Sequence, residues 1–362
     1  MLHESFSFSQ KAWRRLKKNK GAMLGLIIIS LSILTGIFAY FIANDSTPNA
    51  DRQIVEIQAM KPGYNRQFIK RKKEKNIAEV NFFERLLYGK EETFNLIPIN
   101  SYTEHTNSVI IQKFIDDGVE EKISIAKNKL AENYIVSKTF LLGTDRFGRD
   151  ILSRLIVGVR VSLAVGLITV LISLTIGVIL GSLAGYFRGK TDNIIMWLIN
   201  VIWSIPTLLL VFGITLALGK GFWQIFIAVG LTMWVSVARL IRGQVIALRE
   251  MEYIQAAKAL GLKDMRIIIR HILPNVLGPV IVIAASNFAT AIIVEAGLSF
   301  LGVGVQAPQP SWGLMIKENY NFIITHNPML ALAPGIAIMI LVLAFNLLGN
   351  GLRDALDVRG KV

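Results

Sequence analysis

Cysteine is absent from all 362 residues, histidine occurs only four times, and charged residues make up just 18% of the chain. Without thiols there is no disulfide framework, thiolate metal site or thiol nucleophile, and four scattered histidines assemble no ligand cluster. No internal repeat or low-complexity tract is visible. The residues that fill the space are apolar. They form 53% of the sequence, with a mean hydropathy of +0.51, a balance foreign to a soluble globular chain.

Residues 22–43 carry no charge and would run about 33 Å as a helix, enough for a hydrocarbon core of roughly 30 Å. Lys11, Arg14, Arg15, Lys17, Lys18 and Lys20 precede them. The apolar run is too long for a cleaved signal and lacks an Ala-x-Ala exit, so it reads as an uncleaved anchor. Further apolar segments at 163–186, 194–218, 222–237, 276–294 and 329–348 give six spans, the fourth being the shortest.

The net charge of +14 is then a topology signal rather than a nucleic-acid footprint, and no nucleic-acid partner is expected. Six spans put Arg188, Lys190, the 239–274 segment and the tail with Arg353, Arg359 and Lys361 on the side of the N-terminus, which the positive-inside rule makes cytoplasmic. The opposite short loops hold little more than Lys220 and Lys317. Lys70, Arg71, Lys72, Lys73 and Lys75 fall outside, in a loop long enough to translocate regardless of charge.

The expected fold is an all-α integral membrane protein with six transmembrane helices and a small extracytoplasmic α/β insert. Its segments are a basic stretch (1–21), the first helix (22–43), the insert and linker (44–142), a core with five further helices (143–350) and a tail (351–362). In the insert, alternating runs at 109–115 and 119–125 around Asp117-Gly118 predict a hairpin, followed by a helix over 126–134. This insert reads as a spacer or lid, with a docking surface for a soluble partner as the alternative.

Ala184 to Thr191 nearly spells a phosphate-binding loop, yet the first glycine is Ala184 and an apolar span follows instead of a soluble helix. No other segment offers a nucleotide site, so no catalytic residue, cofactor or metal is assigned and the chain is not read as an enzyme.

A polar helix-Gly-helix segment within 249–274 separates two spans. Glu252, Ala256 and Ala259 stack at helical spacing, as do Tyr253, Ala257 and Leu260, and Gly261 suits a left-handed helix end. Met265, Ile268, Ile269 and Ile272 then predict an amphipathic face, and Pro274 opens the next span. A lipid-surface helix would share this pattern. A DNA-reading helix pair would not be tethered flat by spans on both sides.

This segment resembles the coupling loop of bacterial ABC importer permeases, Glu-Ala-Ala-x3-Gly-x9-Ile-x-Leu-Pro, through Ala256, Ala257, Gly261, Leu273 and Pro274. Gln255 and His271 depart from it. Glu252 and the Arg270-His271-x-Leu-Pro run are similar to the peptide-type branch. Two more strings resemble the second permease subunit of dipeptide and oligopeptide importers: 142–150, continuing through Ser153, Arg154, Gly158 and Arg160, and 295–304 with Pro310-Ser311-Trp312-Gly313. The resemblance leaves out the insert, which is much shorter in most such permeases.

It implies a multi-pass subunit of the bacterial inner membrane that forms half of a peptide pore. Its partners would be a second homologous permease, two ATP-binding subunits that use ATP and magnesium, an extracytoplasmic substrate-binding protein, a peptide substrate and membrane lipid. Glu252, Ala256, Ala257, Gly261, Arg270, His271 and Pro274 would couple to the ATPases. Glu295, an acidic residue in an apolar stretch, and Ser299 are pore or structural candidates, with Arg160 a possible partner for Glu295. Nickel-chelate permeases share these motifs. A gradient-driven transporter would need more ionisable groups within its spans, and a membrane-anchored sensor or scaffold fewer spans.

Overall fold

The computed structural model describes residues 8–74, 77, 79–219, 221–324 and 327–356. Lys75, Lys220, Arg359 and Lys361, which carry part of the charge reading, lie outside them. The chain divides into two compact units. One holds residues up to 32, 162–306 and from 338 onward; the other holds 33–161 and 307–337.

A basic helix α1 (Phe8–Lys18) leads into α2 (Lys20–Ile37) and a short α3 (Ala39–Ile42). After the insert come α5 (Ile151–Phe187), α6 (Gly189–Trp203), α7 (Thr207–Leu218) and α8 (Phe222–Arg249). Then follow α9 (Glu252–Ala259), α10 (Asp264–Ile267), α11 (Leu273–Phe300), α12 (Trp312–Asn319) and α13 (Met329–Leu356). Among the described residues five helices are long and apolar enough to cross a membrane, and the α6–α7 pair makes a sixth span if its two halves count as one.

The third span is therefore not the straight rod that 194–218 suggests. Its halves meet at 92°. Proline at position 206 supplies no amide and pushes Ile205 out of the helical region, so the helix ends before it and restarts at Thr207.

The fourth span, expected to be the shortest, runs 28 residues and buries much of its surface. Arg239, Arg242 and Arg249 stop the hydropathy signal without stopping the helix, because each is engaged. Arg239 lies 3.7 Å over the Trp203 ring, Arg242 forks onto Asp192 at 2.5 and 2.8 Å, and Arg249 donates to the Tyr186 carbonyl at 2.8 Å. Similarly, α5 begins well before residue 163, since Ser153, Arg154 and Ser162 are buried helix residues and not loop.

Gly177, Gly181 and Gly185 bring α5 against α8. A Cβ would lie 2.5 Å from the Val237 Cβ, 2.5 Å from the Ala238 carbonyl and 2.8 Å from the Arg242 carbonyl, respectively. Bare backbone at every fourth position is how membrane helices approach closely.

The insert in the second unit contains a five-stranded antiparallel sheet: β1 (Tyr64–Lys72), β2 (Phe94–Glu104), β3 (Ser108–Asp116), β4 (Val119–Ala126) and β5 (Leu130–Phe140), in the order β4-β3-β2-β1-β5. A short helix, α4 (Phe82–Tyr88), links β1 to β2. Side chains alternate across the sheet. Phe68, Leu96, Phe114 and Phe140 pack on one face; Ile69, Ile99, Ile111 and Ile125 pack on the other. The predicted β3–β4 hairpin is present, with Gly118 at φ +80°.

The helix expected over 126–134 is absent. One 3-10 turn (Lys127–Lys129) is followed by β5, which pairs Val136 with Phe68 and Ile135 with Ile69. The open edge of β1 offers ladder bonds and buried neighbours to Tyr134, Ile135 and Val136, and these outweigh the helical preference of the preceding residues.

Candidate functional site

The segment after α8 is a helical hairpin with a sharp division between inside and outside. Ile254, Ala257, Ile267, Ile268 and Ile272 pack against Tyr186, Ile241, Val245 and Val276. Glu252, Tyr253, Gln255, Ala256, Leu260, Met265, Ile269 and Arg270 are exposed, Leu260 by 80%.

The turn between its arms ends α9 as a Schellman motif. Gly261 donates to the Lys258 carbonyl, Leu262 donates to the Ala257 carbonyl, and Gly261 sits at φ +77°. A Cβ there would meet nothing within 4 Å, so glycine is required by the backbone conformation and not by space.

Polar bonds fix the hairpin to its supports. The Tyr186 hydroxyl donates to Asp264 at 2.6 Å, Gln255 donates to the Arg249 carbonyl at 2.9 Å, and Asn275 donates to the His271 carbonyl at 2.7 Å and the Tyr253 hydroxyl at 3.3 Å. Pro274 opens α11 directly after the π-turn, with no amide to bond back into it.

The apolar stripe differs from the expected one. Ile268 and Ile272 face inward, but Ile267 joins them while Met265 and Ile269 face out. Residues Ile268–Ile272 form a π-turn, in which the Leu273 amide reaches back five residues to the Ile268 carbonyl, and this resets the helical period.

Among the expected coupling residues, Glu252, Ala256, Gly261, Arg270 and Pro274 are thus exposed and His271 half-buried, whereas Ala257 is packed inside the hairpin. The anchoring residues Tyr186, Arg249 and Asp264 escape a motif reading. Only the isolated tyrosine at a span end hints at them.

Glu295 and Ser299 come together in α11. Ser299 Oγ donates to Glu295 Oε1 at 2.6 Å and accepts from the Val305 amide at 2.9 Å, while the Leu298 carbonyl accepts from Val303 and Gly304. The pair closes the glycine-rich turn at the helix end. Arg160 is engaged elsewhere: it donates to the Leu87 carbonyl at 3.0 Å and lies 5.2 Å over the Tyr40 ring.

In the second unit the 142–150 string meets Asp51, the start of α5 and Glu318 of α12 in a buried ionic cluster. Arg149 donates to Asp145 at 2.6 Å, Glu318 at 2.6 Å and Asp51 at 3.0 Å. Arg154, fully buried, approaches the same three carboxylates at 3.5 to 4.0 Å. Burial lowers the Arg149 pKa, but the Asp145 and Glu318 charges outweigh it and hold the guanidinium above its ordinary range. Asp150 is pushed up by burial, against hydrogen bonds from Ser153. Trp312 donates to the Leu155 carbonyl at 3.0 Å and fills the space left by Gly158.

The phosphate-loop look-alike is a corner between helices. The Arg188 amide is bonded to the Ala184 carbonyl, Arg188 and Gly189 take positive φ, and α6 starts at once. Among the described residues no group of acidic and histidine side chains is placed to hold a metal. A cleft of about 630 Å³ opens between α8, α11 and α13, with Ser236, Ser286, Asn287 and Arg353 on its walls.

Two family descriptions match the chain: the binding-protein-dependent transport system inner membrane component over residues 177–361, and the N-terminal TM domain of oligopeptide transport permease C over residues 7–62. The dipeptide transport system permease protein DppC of Alkalihalophilus pseudofirmus is 46% identical over 219 residues, covering 60% of this chain and 72% of that protein. DppC of Bacillus subtilis is 33% identical over 98% of this chain and 86% of its own length, so the alignment runs through the insert as well. The glutathione transport system permease protein GsiD of Pectobacterium atrosepticum is 41% identical over 64% of this chain and 79% of its own.

Proposed function

The chain belongs to the family of binding-protein-dependent transport system inner membrane components, and from that premise we propose that it is a permease subunit of an ATP-driven importer of dipeptides or oligopeptides. It forms half of the translocation pore beside a second, homologous permease. Two ATP-binding subunits supply ATP and magnesium chemistry from outside this chain. An extracytoplasmic binding protein delivers the peptide to the side opposite the termini, which are cytoplasmic by their charge.

The observation that carries this reading is the 249–274 hairpin. It presents Leu260, Met265 and Ile269 outward between two spans, while Tyr186 holds it through Asp264 and Arg249 through Gln255. Exposed apolar side chains grouped on an anchored polar segment between spans fit a docking surface. Glu252, Ala256 and Arg270 lie on the outward side, Gly261 sets the angle between the arms, and His271 and Pro274 connect them to α11. Ala257 contributes by seating α9 on the chain's own core.

When the ATPase dimer closes on ATP, the hairpin moves with it, and the continuous α10–α11 segment carries that motion into the bilayer. Ser236, Ser286 and Asn287 place a few polar groups on the largely apolar wall of the cleft between α8, α11 and α13, where a passing peptide backbone could bond. Glu295 and Ser299 keep the turn at the far end of α11 in shape.

Gentle solubilisation of the tagged chain followed by native mass spectrometry tests the assignment. Recovery with a second multi-span protein and two phosphate-loop ATPases is expected. A lone chain or homodimer would overturn it in favour of a gradient-driven carrier. Uptake of labelled dipeptide against a nickel chelate by the reconstituted complex then tests the substrate.

A further inference from the structure

The helix α4 is fully built, yet among the described residues its apolar side meets little beyond Phe41. Asn81 and Glu84 form a reciprocal cap at its start. Gly89 ends it at φ +80°, where any Cβ would run into the Ser46 carbonyl at 2.6 Å and the Tyr40 ring at 3.0 Å. Arg160 holds its last turn through the Leu87 carbonyl. Despite this anchoring, Phe82, Phe83, Leu87 and Tyr88 are 58, 72, 52 and 68% exposed, and no residue of the helix is buried. At helical spacing Phe82, Leu86, Phe83 and Leu87 form one continuous apolar arc.

The position of α4 along the first span says what covers that arc. Phe82 packs on Phe41 with ring centroids 5.3 Å apart, and the Arg85 guanidinium lies 4.6 Å over the same Phe41 ring. The 18 residues of α2 rise about 27 Å from Lys20, and Phe41 follows in α3 just beyond the break at Phe38, near the end of a hydrocarbon core of about 30 Å. It therefore reaches the level where acyl chains give way to headgroups on the face opposite Lys20. Leu34, Ile37, Phe38 and Ile42 are exposed along the way, so the lipid-facing surface of the span continues without interruption onto α4. An aromatic arc bordered by Arg85 and Tyr88 has the composition of a membrane-interface element.

We propose that α4 lies in the lipid–water interface of the leaflet opposite Lys20, with Phe82, Phe83 and Leu87 among the acyl chains and Arg85 and Tyr88 at headgroup level. It moors the insert to the bilayer. The inference rests on residues 20–42 crossing the membrane and on no partner protein.

The absence of cysteine makes the test direct. Leu34→Cys, Phe83→Cys and Val119→Cys, each labelled with a nitroxide, would be placed in lipid nanodiscs with whatever subunits the chain retains, and collisions with oxygen and with a water-soluble nickel chelate measured. Leu34 reports the span and Val119, at the tip of the β3–β4 hairpin, reports water. The expected result is an oxygen-to-chelate ratio at position 83 close to that at 34 and far above that at 119. A ratio like that of position 119 overturns the proposal, as does shielding of position 83 from both reagents, which would mean a protein covers α4. A chelate-accessible label at position 34 would instead remove the span on which the inference rests.

Discussion

The Tyr186 hydroxyl donates to the Asp264 carboxylate at 2.6 Å, tying the last turn of α5 to the first turn of α10, while its own carbonyl accepts from Arg249 at the end of α8. Three separate helix ends meet on one residue. Tyr186→Phe keeps the ring and the carbonyl and removes only the hydroxyl. Because Asp264 can turn to water, the expected cost in stability is about 1 kcal/mol, with a larger effect on coupling. Thermal unfolding together with peptide-stimulated ATP hydrolysis by the assembled complex would check this; equal stimulation in both proteins would deny Tyr186 a part in coupling.

Gly261 is required for its φ of +77°, since open space surrounds its missing Cβ. Gly261→Asn, which tolerates the left-handed region, should retain most uptake. Gly261→Val should insert normally but lose transport, as a left-handed L-residue costs about 1–2 kcal/mol and a β-branched one more. Peptide uptake at matched membrane levels distinguishes them, and full activity of the valine variant would contradict the hairpin's role.

Gly181 and Gly213 make an informative pair. A methyl at position 181 would press against the Ala238 carbonyl, whereas one at position 213 meets nothing. Gly181→Ala should destabilise by about 1–3 kcal/mol through overpacking, and Gly213→Ala should be neutral or stabilise by up to about 1 kcal/mol through helix preference. Thermal unfolding in a mild detergent separates the two, and similar shifts would mean that the α5–α8 approach is looser than described.

Asp150 accepts from the Ser153 amide and hydroxyl at the start of α5, and burial holds its pKa above the usual carboxylate range. The folded state therefore binds this proton more tightly than the unfolded chain. The resulting stabilisation is complete below the ordinary carboxylate pKa and is lost as pH rises through the raised folded value. Asp150→Asn keeps an acceptor for Ser153 and should flatten stability across that window; Asp150→Ala should lose about 1 kcal/mol of capping at every pH. Unfolding measured from acid to neutral pH would show whether the asparagine variant loses the slope.

Apolar runs and charge placement made the spans legible in the sequence, and the Asp117-Gly118 turn revealed its hairpin, because each depends on local chemistry. Span lengths were less legible. Arg242 and Arg154 read as loop residues until Asp192, Asp145 and Glu318 are brought to them, and such long-range partners leave no local trace. The same holds for β5, whose identity depends on the free edge of β1. Gly177, Gly181 and Gly185 did carry a readable spacing, hidden by the surrounding apolar residues. In the hairpin, Gly261 followed from sequence, but the inward face did not, since the π-turn breaks the 3.6-residue period on which the stripe was read.

That π-turn sets an angle. One extra residue held in a single helical turn shifts by one position, about 100° of the ordinary helical count, which side chains before and after Ile268–Ile272 share a face. Met265 and Ile269 face outward, while Ile267, Ile268 and Ile272 face the core. The turn absorbs its extra residue, so side chains counted at 3.6-residue spacing across Ile268–Ile272 land one position off the face they share.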